Sequence, residues 1–446
     1  MANGSGTSYS PNGTFTITAN TTLYAQWTAI TYTVTYDYND STNGNVPVDG
    51  SSPHITGSEV IVLGNTGSPA LTKTGHTFSG WNTAANGSGT SYSQNGTFTI
   101  TANTTLFAQW TLIPTGPPPP TLTLAVGGNQ AAYILFTQSG TVTNYEYSTD
   151  DGVTFTPFIP AQTYSPVEIN TLSSDGTTRL TLGTTYTVKL KAVNSGGTSV
   201  ESNSITVTPE VTSLVSDSNR LIYLDANDPT SYSGSGTTWT NLESGGSYSA
   251  ALIGSPTFNQ AVSSNKYFEF NQGSVTGQYA RINQATAINP SVNDPFTIQV
   301  WVKINNGSSG SLVSKMYGDS DRKDYDGYNF SYFDNDSMRI HLNGGSVDTN
   351  TNPNYYSNTG VLSSGWALYT ANIQFGGQNK IFVNGRQVLS IANNERSIPN
   401  NDQNLTISSG HGGDAECDIG QFYYYDRELT VTEVIQNYDA SKPRYL

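Results

Sequence analysis

The sequence holds a single cysteine, Cys417, and little charge: Asp, Glu, Lys and Arg make up 11% of its 446 residues, against roughly 25% in ordinary soluble domains. One thiol excludes an internal disulfide framework and a multi-thiolate metal site, and Cys417 reads as a small buried hydrophobe in a strand. Apolar runs near the ~20 residues needed to span a bilayer are also missing, so membrane insertion is not expected. The stretch after Met1 is small and polar rather than basic and then apolar, so neither a signal peptide nor an anchor is expected in this chain. Basic residues are scarce. With 18 Lys and Arg against 33 Asp and Glu the net charge is −15, which repels phosphate backbones and argues against nucleic acid as a partner.

Thr, Ser, Asn, Gly and Tyr take the place of the missing charge, and β-branched and aromatic residues alternate with polar ones over much of the chain. That period of two predicts an all-β protein, and the length predicts several small domains rather than one large core. Residues 2–28, ANGSGTSYSPNGTFTITANTTLYAQWT, recur nearly letter for letter at 85–111 as ANGSGTSYSQNGTFTITANTTLFAQWT. A long self-match at fixed spacing marks a repeat array. Only the second copy has the upstream half ITYTVTYDYND through HTFSGWNTA, so residues 1–29 read as a partial repeat and residues 30–112 as a complete one.

The segments YTVTYD, VIVLGN, GHTFSGWNT and TLFAQWT resemble the Listeria-Bacteroides repeat, or internalin B-repeat, of bacterial surface proteins. That resemblance implies a small β-grasp-like module acting as a stalk or weak binding surface. Independently of it, Thr97, Thr99 and Thr101 alternate with Phe98 and Ile100, and Trp81 and Trp110 offer core anchors. Residues 113–120 carry the run PTGPPPP, a stiff linker expected to separate independently folding units. Residues 121–210 resemble a fibronectin type III sandwich through NYEYSTDDGVTF and the L-x-x-G-x-x-Y run from Leu180 to Tyr186.

From residue 214 to 446, short alternating strands such as RLIYLDA, FTIQVWVKI, KIFVNGRQV and DIGQFYYYD follow one another. As a set they resemble the concanavalin A-like, laminin G-type jelly roll. Asn384-Gly385 suits a tight hairpin. The resemblance implies a sandwich that binds glycan or protein, often with calcium at one rim. Asp319, Asp321, Asp324 and Asp326 cluster within eight residues, a pattern suited to a hard cation such as Ca2+ or to a plain solvated loop. Asp225 and Asp228 in DANDP are a weaker metal candidate, since Asp there commonly builds a turn. Tyr317, Tyr325, Tyr328, Tyr355 and Tyr356 lie in polar sequence, where rings could stack on a pyranose or simply pack.

Laminarinase-type jelly rolls carry E-x-D-x-x-E, whose paired carboxylates cleave glycosidic bonds. Here Glu416 and Asp418 are followed by Gln421, which cannot protonate a leaving group, so no enzyme activity is expected. The expectation is a modular adhesion protein, displayed outside the cell or on a virion, whose partner is a surface glycan or glycoprotein. The alternatives are a structural virion fibre or surface-layer component that self-associates or attaches to a larger assembly, and a targeting part of a larger glycan hydrolase.

Overall fold

The computed structural model describes all residues except 1–2, 244–246, 261–264, 272–276, 284–287, 289–293, 306–308, 317–326, 344–353, 358–359, 375–376, 393–402 and 411–412. The chain divides into two compact units, Met1–Gly116 with Ser195–Gly197, and Pro117–Asn194 with Thr198–Leu446.

In the first unit, a four-stranded sheet runs in the order Val34–Asp37, Thr104–Leu112, His76–Asn82, Ser91–Tyr92. The first pair is parallel, the feature expected of a β-grasp-like module. Thr97–Thr99 pairs with Glu59–Ile61, and Ile100 beside it is fully buried. Trp81 anchors this core at 1% exposure. Its indole N–H donates to the Leu63 carbonyl at 2.9 Å, and its ring meets Tyr36 edge-on at 4.7 Å. Trp110 is only half-buried and donates to the Asn39 carbonyl. The first copy of the repeat behaves differently: residues 3–28 form no strand, and Ile17, Leu23 and Trp27 are exposed while their counterparts Ile100 and Leu106 are buried. The strands flanking Thr104–Leu112 come from 34–37 and 76–82 and pair with the second copy alone.

The second unit contains two β-sandwiches. The smaller has a three-stranded sheet, Val167–Ile169, Ala131–Thr137 and Thr121–Gly128, facing a sheet built on Asn144–Ser148, Tyr186–Asn194 and Ile205–Val207. Alternation along Tyr186–Asn194 buries Val188, Leu190 and Ala192 completely. The Tyr186 hydroxyl accepts from the Thr181 N–H at 3.0 Å and pins the turn that enters this strand.

The larger sandwich packs two eight-stranded sheets. A helix-side sheet is centred on Phe296–Ile304, Cys417–Tyr425 and Trp366–Ile373, and the opposite sheet on Gly310–Met316, Gly327–Phe333 and Ser337–Asn343. Phe296, Ile298, Val300 and Val302 face the core between the sheets, while Trp301 faces the other way. Cys417 is buried in the core, which pushes its thiol up to about 12. The Val383–Arg386 hairpin turns on Asn384 and Gly385, at φ 52° and 79°, the left-handed pair that a two-residue turn requires.

A helix, Val431–Ser441, closes the chain on the outer face of the helix-side sheet. It starts on a capping box between Thr430 and Glu433 and lays Val434, Ile435 and Tyr438 over Trp301, Leu368 and Phe382. Val126, Ala131 and Tyr133 of the smaller sandwich join this same apolar cluster, so the two sandwiches share a core surface.

Candidate functional site

Strand alternation decides which sequence candidates face solvent. Asp319, Asp321, Asp324, Asp326, Tyr317 and Tyr325 lie outside the described residues. Tyr355 and Tyr356 belong to Asn354–Tyr356, the edge strand of the opposite sheet. Tyr328 does not offer its ring to a ligand in solution, and here the sequence expectation is corrected. It is 1% exposed because Tyr328, Phe330 and Tyr332 are the inward residues of Gly327–Phe333, and its ring lies 4.7 Å from Phe296.

Asp225 is corrected likewise. Its buried carboxylate accepts from Gln421 Nε2 at 2.8 Å and Tyr223 Oη at 2.9 Å, and the Arg444 guanidinium neutralises it. A protein cation already occupies the place a metal would take. Asp228 accepts from the backbone N–H and hydroxyl of Thr230, bonds that hold its carboxyl below the usual range although partial burial opposes them. It is a turn residue, and among the described residues no group of three His, Cys, Asp or Glu is assembled around a cation position.

In the segment from Glu416 to Gln421, burial pushes the Asp418 carboxyl up, while Asn305 Nδ2 at 2.7 Å and Lys303 partner it. Gln421 sits in the buried network with Asp225 and accepts from the Tyr423 hydroxyl at 2.7 Å.

A different polar constellation emerges on the outward face of the opposite sheet. The register places Arg281 beside Thr406, Thr406 beside Ser314, Ser314 beside Asn329, and Asn329 beside His341. Four interstrand steps of about 4.8 Å make a seam about 19 Å long. The next row pairs Ser331 with Arg339, whose Nε donates to the Ser331 hydroxyl at 3.2 Å and whose guanidinium lies 4.5 Å over Phe333. Asn329 is 1% exposed, yet neither atom of its amide has a hydrogen-bond partner among the described residues, and the Ser314 hydroxyl is in the same state. Leaving such a group unpaired costs about 1–3 kcal/mol. The seam therefore holds buried amide and hydroxyl groups that have no hydrogen-bond partner among the described residues. Sequence reasoning passed over it because it sought ligand groups in loops. The signal present was the polar alternation N-F-S in Asn329–Ser331 and R-I-H in Arg339–His341.

The larger sandwich, two eight-stranded sheets around one core, is of the jelly-roll class. Residues 276–435 match the model of the concanavalin A-like lectin/glucanases superfamily, and residues 32–109 that of the Listeria-Bacteroides repeat domain. The chain therefore carries one domain of each kind. Two proteins of Evansella cellulosilytica, one named a membrane protein and one a Gly-rich membrane protein, are 40% identical over 95 residues and 41% identical over 113 residues. The matches span 21% and 24% of this chain but only 14% and 12% of those relatives. No helix among the described residues is long and apolar enough to cross a membrane. Among solved structures, the binding domain of botulinum neurotoxin DC in complex with rat synaptotagmin II aligns over 50% of this chain and 51% of its own, at 14% identity and a TM-score of 0.38. The binding domain of Paraclostridial Mosquitocidal Protein 1 aligns over 49% and 52%, at 16% identity and 0.36. At that level of similarity neither structure bears on what this chain does.

Proposed function

We propose that the chain is a non-catalytic adhesion protein, displayed outside the cell or on a virion, whose C-terminal lectin-like domain binds a surface glycan or glycoprotein receptor. The repeat and the smaller sandwich serve as its stalk, the latter as a fibronectin type III-like module on the strength of its three-stranded first sheet and its Tyr186 corner. The observation that carries the reading is the unpaired, buried Asn329 amide within the polar seam of a lectin-like sheet. A glycan array probed with the full chain should light up for at least one surface glycan. Asn329→Leu should weaken that binding about tenfold or more while leaving the melting temperature level or raised, because an apolar isostere removes a buried group that lacks a partner. A blank array, or a variant that binds as wild type, sinks the reading.

Calcium belongs to the same proposal, with Asp319, Asp321, Asp324 and Asp326 as its ligands. An ion that binds only the folded state at ~100 times its dissociation constant adds about 2.7 kcal/mol. The melting temperature should rise with calcium, fall with chelator, and lose both responses when Asp324 and Asp326 become Asn. A melting curve indifferent to chelator removes calcium from the account. The second reading, a structural fibre without specific glycan binding, draws on the apolar cluster that welds the two sandwiches into a stiff body.

A further inference from the structure

A cavity of about 270 Å³ opens where the two sandwiches of the second unit meet. One wall carries Gln162, Tyr164 and Glu168 from the smaller sandwich, and the other Asn384, Arg386 and Tyr438 from the larger. The junction itself is stiff. Asp439 accepts from the Tyr133 hydroxyl and from the Asn129 N–H at 2.6 Å each, and Lys442 pairs with Glu168 Oε1 at 2.8 Å and with Asp439 at 3.0 Å. Pockets of this kind are common at such interfaces, where a fixed scaffold lets few polar groups converge.

The groups left over point to one chemistry. Arg386 lies 4.1 Å over the Tyr164 ring and has no carboxylate partner among the described residues, so its fork is held flat with donors to spare. Asn384 spends its Oδ1 on the Leu368 N–H at 2.9 Å, which leaves the amide N–H groups as donors. Glu168 gives one oxygen to Lys442 and keeps the other as an acceptor. Tyr164 remains 39% exposed. Planar guanidinium, amide and carboxylate groups grip adjacent hydroxyls two at a time, and the part of the Tyr164 ring not covered by Arg386 suits the apolar face of a pyranose. Lys442 bridges Glu168 and Asp439, so with Arg386 the two cations and two carboxylates at the cleft sum to zero, which favours an uncharged ligand. Its volume lies just under the range of about 300–1,000 Å³ typical of ligand pockets, which limits it to a single ring.

We infer that this junction cleft is a second saccharide site that takes one neutral hexopyranose unit, held by Arg386, Asn384 and Glu168 against Tyr164; the assignment rests on the glycan-binding role proposed above. The test uses the full chain with the methyl glycosides of glucose, galactose and mannose, and with methyl glucuronide as the charged control, read by saturation-transfer NMR and titration. At least one neutral hexoside should bind. Tyr164→Ala, Arg386→Ala and Gln162→Ala should each weaken it, the first two by about tenfold or more, while Tyr164→Phe keeps the ring and most of the affinity. Asn329→Leu should leave this binding unchanged. Loss in Gln162→Ala, a partly exposed loop change, guards against mere unfolding in the other variants. No hexoside bound, binding of the glucuronide alone, or affinity indifferent to all the cleft variants overturns the assignment. If hexoside binding is lost instead in Asn329→Leu, the seam is the sugar site: the adhesion reading stands and the cleft falls.

Discussion

Asp439 has no exposed side-chain atoms, yet it pairs with the Lys442 ammonium at 3.0 Å. Burial opposes its charge, but bonds from the Thr212 and Tyr133 hydroxyls and the Asn129 N–H, with the Lys442 ammonium, hold its carboxyl below the usual range. Gly128 makes this approach possible, because a Cβ there would sit 2.9 Å from the Asp439 carboxyl and 2.7 Å from the Tyr133 ring. Asp439→Ala leaves Lys442 with Glu168 but takes away the acceptor of the Tyr133 and Thr212 hydroxyls and of the Asn129 N–H, and should cost about 3 kcal/mol, since each buried donor left unpaired costs about 1–3 kcal/mol. Urea denaturation reads it; a midpoint within error of wild type contradicts this account. The pH dependence follows in sign. Asp217, Glu433 and Asp439 all lie below their usual values, so they contribute stability above the unfolded carboxylate pKa of about 4 that is lost as pH falls through their folded values. Asp418 and Asp426 are raised by burial and act oppositely, their cost being relieved as they protonate. A melting temperature level from pH 7 to about 5 and falling below about 4 is expected.

At the scale of elements, the C-terminal helix was encoded in the sequence but hidden by its strand-rich surroundings. Thr430 and Glu433 stand at capping-box spacing, and Val431, Val434, Ile435 and Tyr438 follow the i, i+3, i+4, i+7 stripe of an amphipathic helix. The preceding DIGQFYYYD strand and the β-rich composition drew the reading toward a purely β closure. Strands were legible where one face is polar, as in Tyr186–Asn194, and also in FTIQVWVKI and DIGQFYYYD, which are covered on both faces, but Gly327–Phe333 was taken for polar loop. Gly327–Phe333 is buried throughout its first six residues, so the polarity of its Asn and Ser concealed that its tyrosines point inward. The seam depends on register across five strands, which no local pattern encodes. Arg427 ties the helix cap together, donating to both Asp217 and Glu433 at 2.6 and 2.7 Å. Thr430→Ala should therefore cost about 1 kcal/mol, as cap losses typically do, measured by chemical denaturation. Equal stability would mean that Arg427 and packing alone fix the helix start.

For the whole molecule, composition and repeats indicated the fold class, and the proline-rich stretch stands beside the division between Gly116 and Pro117. The expected break between residues 210 and 214 is another matter. Contacts there join residues about three hundred positions apart, such as Tyr133 and Asp439, and long-range pairing of that kind leaves no trace in a local pattern. An apolar cluster containing Val126, Ala131, Trp301, Tyr423 and Tyr438 makes the two sandwiches a single packed body, and bodies that share a core surface unfold together. Hydrogen exchange at rising urea should show Ala131–Thr137 and Cys417–Tyr425 losing protection at the same denaturant concentration, although they belong to different sandwiches. Ala131→Glu, which places an unpaired charge in the shared cluster, should separate the two events by lowering the first strand's protection ahead of the second. Limited proteolysis of the wild type should cut within residues 112–116 and spare residues 210–214. Protection lost in two well-separated steps in the wild-type chain, with cleavage at 210–214, would show the sandwiches to be independent modules touching only at their surfaces.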